Sequence, residues 1–172
     1  MAGKRYDILT SGIVFFSLVI LAAATMQQLK YRQKTFICRG YLRHWGSALR
    51  LAHADRHYFG PASGQNIEQW FSEIITYLEQ PSARQCPAAD VSANATTYSY
   101  KINHLLLQRS LPKRKFQLPQ NYIIIFDGHC DSQPLSGAGP PWQYIAARHL
   151  GGANLLLGNG SVIYRRTRAI RP

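Results

Sequence analysis

The densest group of residues that could do chemistry is the run DGHCD, from Asp127 to Asp131. It offers carboxylates, an imidazole and a thiol, the side chains from which metal sites and Cys/His nucleophiles are built. His149 is the next histidine along the chain. This spacing matches no metal or catalytic motif, and a strand that ends in a polar turn explains the run more simply. The sequence therefore predicts no metal ion, no other cofactor and no catalytic residue.

The three cysteines, Cys38, Cys86 and Cys130, are too few and too far apart for a zinc finger or ribbon. In an oxidising compartment they leave open one disulfide with one thiol left over. A Cys38–Cys86 disulfide would tie the N-terminal helix to the rest of the chain, but spacing does not determine pairing. The eight acidic residues provide no evident acid/base pair for hydrolysis. We therefore expect a protein that is not an enzyme.

The element that must position any site begins with nineteen uncharged residues, from Ile8 to Met26. This length matches the roughly 20 residues that a helix needs to cross a bilayer. A helix also satisfies its own backbone polar groups in lipid. The sequence therefore predicts a single membrane anchor. The side chains expected to contact lipid or other helices are Ile8, Ile13, Phe15, Phe16, Leu18 and Leu21.

A cleaved signal peptide, cut near Ala22 to Ala24, is the alternative, but the apolar run is long for one. The orientation of the anchor is left open by its flanking charges. Basic residues lie on both sides of it: Lys4, Arg5, Lys30, Arg32 and Lys34. The positive-inside rule therefore gives no clear direction.

No Pro or Gly interrupts the chain between Ile13 and Arg39, so we expect one helix from about Asp7 to Ala54. Such a helix would be roughly 70 Å long at about 1.5 Å per residue. Beyond the apolar run, apolar residues recur at spacings of four and three, as in an amphipathic helix. The residues predicted to pack this helix on a head are Cys38, Leu42, Trp45 and Leu49.

The chain is thus predicted to have two parts, residues 1–57 with the anchor and long helix, and residues 58–172 with the head. In the head, Asn66 and Gln69 form an approximate capping box at the start of a second amphipathic helix. Pro81 stops this helix. It is more simply explained by core packing than by binding.

Strands account for much of the remaining head. Alternating apolar residues from Tyr98 to Asn103 predict a half-buried strand, and the run from Tyr122 to Phe126 predicts a central strand. Asn159-Gly160, between two apolar runs, predicts a type I′ hairpin. The fold class is therefore α+β, with one long helix packed on an antiparallel sheet.

The net charge of +12 is spread through most of the chain. Scattered charge is usually a solvated surface, and the alternative is attraction to anionic lipid, polysaccharide or nucleic acid. The basic loop with Lys113, Arg114 and Lys115 could touch lipid headgroups.

The most specific motif closes the chain. Residues 148–162, RHLGGANLLLGNGSV, resemble the C-terminal signature of bacterial type IV pilin-like proteins with a prepilin-type N-terminal domain. In that signature a His is separated by nine residues from Asp-Gly, and Asn159 stands here in place of the Asp. The motif residues are Arg148, His149, Gly151, Gly152, Asn154, Asn159 and Gly160.

Other segments resemble the same family in the same order. Residues 38–49, CRGYLRHWGSAL, resemble its C-x-x-N-L-R-Q-x-G-x-A-L segment, and residues 53–61 resemble the A-D-x-N-x-x-x-F-P ending. Cys86-Pro87 resembles the C-P after the second helix, and residues 99–103 resemble its S-Y-x-x-N strand. The resemblance therefore spans nearly the whole chain.

The resemblance implies a pseudopilin-like protein with a cytoplasmic N-terminus and a periplasmic head, which assembles with other pilin-like subunits or secretion machinery. The processing site departs from the family's G-F-T-L-I-E, since a cut would fall between Arg5 and Tyr6, and Thr10 replaces the assembly glutamate. An unpaired N-terminal charge in an apolar fibre is costly. We expect either a membrane-anchored head or a subunit at a special position, such as a tip.

The leading expectation is a non-enzymatic, pseudopilin-like structural protein in the bacterial inner membrane, part of a type IV pilus or type II secretion-like system. The alternative is a membrane-tethered module whose basic head captures an anionic polymer such as DNA or polysaccharide. Dependence of binding on salt would separate the two. A third class, an anchored hydrolase built on Cys130, would be excluded if Cys130→Ala left the phenotype unchanged.

Overall fold

The structure, a computed structural model, describes residues 3–56, 60–61, 65–89, 98–108, 120–131 and 141–170. It contains two compact units, Met1–Gln33 and Lys34–Pro172. The boundary between them lies inside the first helix, earlier than the predicted division after residue 57. The predicted division was placed at the expected end of the helix, and it stays a prediction.

The first helix, α1, runs from Gly3 to Arg56 and confirms the predicted long helix. Every side chain described from residue 12 to residue 33 is exposed. By length and composition, α1 is the one helix in the described residues apolar enough to cross a membrane. The chain is therefore compatible with a single-pass membrane protein. The predicted anchor residues described as exposed are Ile13, Phe15, Phe16, Leu18 and Leu21, while the side chain of Ile8 lies outside the description.

Within the residues that the structure describes, four antiparallel strands form one sheet and lie in it in chain order. Their bounds are β1 Tyr98–Ile102, β2 Ile123–Asp131, β3 Gly152–Leu157 and β4 Val162–Arg166. The remaining elements are α2 Ile67–Thr76, α3 Leu105–Gln108 and the 3₁₀ turns Pro81–Arg84, Pro141–Gln143 and Thr167–Ala169. The α+β fold, with a long helix packed on an antiparallel sheet, is confirmed, and β2 is the predicted central strand.

The capping box of α2 forms as predicted. The Gln69 N–H donates to Asn66 Oδ1 over 2.7 Å, and the Asn66 N–H donates to Gln69 Oε1 over 3.1 Å. These bonds satisfy two of the N–H groups that a helix start leaves without a partner. The helix then buries its apolar side, which includes Phe71.

The second half of α1 seats on the sheet through a buried stripe. The residues predicted for this packing, Cys38, Leu42, Trp45 and Leu49, are at most 2% exposed. The Trp45 ring stacks on Phe71 at 5.0 Å, and its Nε1–H donates to the Ala83 carbonyl over 2.8 Å. The approach is also close at Gly46, where an added Cβ would lie 3.2 Å from the Leu156 side chain of β3 and would require it to shift by a few tenths of an ångström.

A second apolar cluster forms away from α1 and includes residues of β2 and β3. Its buried members are Phe126, Ile145, Ala153, Leu155 and Leu157. Strand β3 is buried along its whole length. Strand β1 is likewise buried from Ser99 to Ile102, so the prediction of a half-buried strand was wrong. The polar members have partners inside: the Ser99 hydroxyl accepts the Cys86 N–H, and the Lys101 stem lies against Gly128.

Two polar turns predicted from the sequence also differ from those in the structure. The run from Asp127 to Asp131 is not a turn, because β2 continues through it. The β3–β4 hairpin forms as predicted, but its turn is not type I′, since Gly160 alone among its described residues has a positive φ, of 82°. The Gly160 N–H donates to the Leu157 carbonyl over 2.8 Å, and the Asn159 side chain accepts from the Ser161 N–H and hydroxyl over 2.9 and 2.6 Å. The basic loop with Lys113, Arg114 and Lys115 lies outside the described residues.

Candidate metal centre

Four buried side chains from four separate segments converge inside the unit formed by residues 34–172: Cys38, Cys86, Asp127 and His149. The atoms with which they could hold a metal ion all lie within 4.8 Å of one another. Each of the four residues is at most 2% exposed. The described part of the chain thus gathers two thiols, a carboxylate and an imidazole at one point.

Three regular elements place the first three of these groups. Cys38 lies on the face of α1 that packs on the sheet, and Asp127 lies inside β2. Cys86 follows the 3₁₀ turn Pro81–Arg84, and its backbone N–H bonds to Ser99 of β1. Cys38 and Asp127 belong to packed elements and Cys86 is bonded to β1, so the fold fixes all three positions.

His149 is placed by a tight turn that leads into β3. Its N–H donates to the Gly152 carbonyl over 3.0 Å, and the Gly152 N–H returns to the His149 carbonyl over 3.1 Å. The two central residues, Leu150 and Gly151, have φ values of 51° and 78°, the pattern of a type I′ turn. Gly152 has no room for a side chain, since a Cβ there would lie 2.4 Å from the Arg165 carbonyl oxygen. The glycines of the closing motif therefore aim His149 at the cluster.

Within the cluster, one carboxylate oxygen has several neighbours. Asp127 Oδ2 accepts from the Cys38 thiol over 3.0 Å and lies 2.9 Å from His149 Nε2. The same nitrogen lies 3.3 Å from Cys86 Sγ. A single ring N–H cannot point fully at both acceptors. Nε2, the two sulfurs and Oδ2 therefore form one compact group, all within 4.8 Å of one another.

This arrangement differs from a Cys-His-Asp catalytic triad. In a triad the carboxylate holds one ring nitrogen while the nucleophile faces the other. Here Asp127 and Cys86 both face Nε2, and Nδ1 lies 3.1 Å from Thr35 Oγ1. Two sulfurs, a nitrogen and an oxygen, all buried, are atoms that could hold a metal ion, and each of them is a known type of zinc ligand.

A second layer of groups surrounds these donors. The Asn154 N–H reaches Asp127 Oδ2 over 3.4 Å, and Arg148 Nη1 lies 3.8 Å from Oδ1 of the same carboxylate. The Ala88 N–H donates to Cys86 Sγ over 3.4 Å. Such outer contacts orient ligands and tune them in metal sites.

Burial and mutual contact set the protonation of the cluster. Burial raises the pKa of the Cys38 thiol well above its usual range. Its hydrogen bond to Cys86 lowers the pKa of the Cys86 thiol to about 6. Burial alone would lower the pKa of His149, but hydrogen bonds to Asp127 and Cys86 outweigh it and raise that pKa to about 9. These contacts favour the thiolate form of Cys86, the form that binds metals.

The sequence-level candidates divide between this site and other places. From the DGHCD run, Asp127 enters the cluster, His129 is exposed, and Cys130 accepts a hydrogen bond from Arg148 Nη2 over 3.0 Å. The Asp131 side chain lies outside the description. From the closing motif, Arg148, His149 and Asn154 border the site.

The two motif residues Asn159 and Gly160 instead form the β3–β4 turn, where Arg50 Nη1 would lie 2.7 Å from a Cβ added to Gly160. Sequence reasoning missed the cluster because it searched for ligands close together in the chain. A signal was present, since Cys38, Cys86 and His149 each lie in a segment that carries the pilin-like resemblance. Comparisons with protein-family models, curated proteins and solved structures found no match to this chain.

Proposed function

We propose that this protein is a non-enzymatic, pseudopilin-like structural subunit or accessory of a type IV pilus or type II secretion-like system. Residues 8–26 anchor it in the bacterial inner membrane, and its head is periplasmic. The observation that carries this proposal is the helix α1, which is exposed and apolar in one half and buried against an antiparallel sheet in the other.

The exposed half requires a partner of apolar character. Phe15 and Phe16 are 71% and 66% exposed, and they belong to a continuous apolar run. Contiguous apolar surface of this kind marks contact with lipid or with other proteins. Lipid and neighbouring pilin-like helices are therefore the proposed partners of this half.

The second candidate function is capture of an anionic polymer by the head. Exposed arginines follow one another at the end of the chain, at Arg165, Arg166 and Arg168. Such a patch would attract DNA or an acidic polysaccharide, with affinity that falls as salt rises. A structural subunit needs no such binding, so a salt-dependent retention of DNA would favour this second function.

The first test is the intact mass of the protein extracted from its native membrane. Loss of Met1 to Arg5, with or without a methyl group on Tyr6, would show processing by a prepilin peptidase and support assembly. A full-length mass would support a permanent anchor with an accessory role. Loss of everything up to about Ala24 would remove the anchor and contradict the proposal.

Cross-linking then tests the partner of the exposed half. In a Cys130→Ser background, Phe15→Cys should cross-link in native membranes to a second helix of pilin-like type. Phe36→Cys is the matched control, because Phe36 is 73% exposed but lies beyond the apolar run. Equal cross-linking at both positions, or none at Phe15→Cys, would count against assembly through this helix.

A further inference from the structure

We propose that Cys38, Cys86, Asp127 and His149 form a structural zinc site, with the two Sγ atoms, Oδ2 and Nε2 as the four ligands. The inference rests on the geometry of the head and stands apart from the proposed function in assembly. Its role is to join α1, the segment after α2, the central strand and the turn before β3.

The distances fit a small ion with four ligands. Zinc binds sulfur at about 2.3 Å and nitrogen or oxygen at about 2.0–2.2 Å, so tetrahedral ligand atoms lie roughly 3.3–3.8 Å apart. Here the Cys38–Asp127, Cys86–His149 and Asp127–His149 ligand atoms are 3.0, 3.3 and 2.9 Å apart. A spread of a few tenths of an ångström would admit the ion.

The charge around the site is also suited to zinc. Two thiolates and a carboxylate around Zn²⁺ leave one net negative charge, which is costly when buried and unpaired. Arg148 Nη1 lies 3.8 Å from Asp127 Oδ1, and this side chain is 13% exposed. Metal ligation requires both sulfurs as thiolates and Nε2 without a proton, so binding releases to solvent whatever protons these three atoms carry.

The second layer prepares the ligands for that ion. With Nε2 on the metal, the His149 Nδ1–H donates to Thr35 Oγ1, which fixes the ring tautomer. The Ala88 N–H supports the Cys86 sulfur, and the Asn154 N–H supports the Asp127 carboxylate. Each of these three ligands therefore has an orienting contact that does not block the metal.

The donor set also selects the kind of ion and the kind of site. Calcium and magnesium prefer oxygen ligands, whereas two thiolates with an imidazole favour zinc. All four residues are buried, so no position is left open to a substrate. A closed site of this type contributes to folding and not to catalysis.

The test uses the full-length chain in detergent, purified without chelator. Its metal content is measured by mass spectrometry, and Co²⁺ is added to the metal-stripped protein. We expect about one zinc per chain and the visible bands of tetrahedral cobalt with thiolate charge transfer. Cys38→Ser, Cys86→Ser and Asp127→Asn should each lower the zinc content at least about tenfold. Cys130→Ser is the matched control and should keep it.

Other outcomes overturn the proposal. The first is a Cys38–Cys86 disulfide, detected by the intact mass of the denatured, unreduced chain. Such a disulfide would lower the mass by two hydrogen atoms in wild type and in Cys130→Ser, but not in Cys38→Ser. The proposal is also overturned if the folded, metal-stripped wild type takes up neither Zn²⁺ nor Co²⁺. Since the ligand variants could unfold, wild-type melting is also followed with and without chelator, and an unchanged melting temperature overturns a structural role. None of these readouts depends on processing or cross-linking of the N-terminal helix.

Discussion

The two halves of α1 belong to one continuous helix but differ in how far their side chains are exposed. From residue 12 to residue 33 every described side chain is exposed. Residues 12–26 of this segment are nevertheless mostly apolar. From residue 34 onward, a stripe of the same helix is buried in the core of the head. Leu21 is 61% exposed and Leu42 is fully buried.

The difference shows that helix formation and helix burial are separate matters. Both halves lack proline, so the backbone forms a helix throughout. Apolar residues dominate all sides of the start of the first half, a pattern compatible with a membrane span. In the second half they are confined to a stripe, the pattern of a helix that packs on a sheet. Substitutions matched between the halves should therefore act on different properties.

The largest contrast is expected for the same substitution in each half. Leu42→Ala removes a buried side chain from the core and should lower the free energy of unfolding by about 2–5 kcal/mol. Leu21→Ala should change it by less than about 0.5 kcal/mol. Denaturant unfolding of the full chain in detergent, followed by tryptophan fluorescence, measures both. Equal losses would show that the two halves share one folded core.

A smaller contrast concerns the glycines of α1. Nothing lies within 4 Å of a Cβ added at Gly40, so Gly40→Ala should stabilise the helix by about 0.5–1 kcal/mol. At Gly46 the added Cβ meets Leu156 at 3.2 Å. Gly46→Ala should therefore be less stable than Gly40→Ala by about 1–3 kcal/mol.

The melting temperatures of the two variants measure this difference. Gly12→Ala is the control in the exposed half, where nothing lies within 4 Å of the added Cβ, and it should leave unfolding of the head unchanged. A Gly46→Ala variant as stable as Gly40→Ala would mean that Leu156 moves aside without cost.

Local patterns predicted most of the fold. The uninterrupted helix, the capping box at Asn66 and the central strand each follow from residues close together in the chain. The burial of β1 did not, because Ser99 and Lys101 are polar and find their partners only in distant segments. Alternation identifies a strand but does not say whether its second face is also covered.

The site lay beyond such patterns for the same reason. Asp127 looks like the polar end of a strand in sequence, and only the fold turns it inward toward Cys38 and His149. The positive φ of Leu150 is equally unexpected, because this region favours glycine and costs another residue about 1–2 kcal/mol. The motif residues were singled out by their resemblance to a family signature. The structural reason for one of them is clear only in the fold, where β4 leaves no room for a side chain at Gly152.

The smallest expected effect lies where α1 ends. Hydrogen bonds from Arg56, its last residue, and from Gln65 hold the pKa of the Glu73 carboxyl below its ordinary value. A carboxyl with a lowered pKa stabilises the fold above its ordinary pKa, about 4.3, and this contribution is lost as pH falls through the lower folded value. Glu73→Gln should therefore be slightly less stable than wild type at neutral pH.

The difference in melting temperature between wild type and Glu73→Gln should shrink to nothing as the pH is lowered. In an Arg56→Gln background the same substitution should have a much weaker pH dependence, because the main cause of the pKa shift is gone. The effect is modest since Glu73 is partly exposed and solvent screens the pair. If the pH dependence persists in that background, it originates in Gln65 or another group of the head. The contact between Arg56 and Glu73 at the end of α1 is then not its cause.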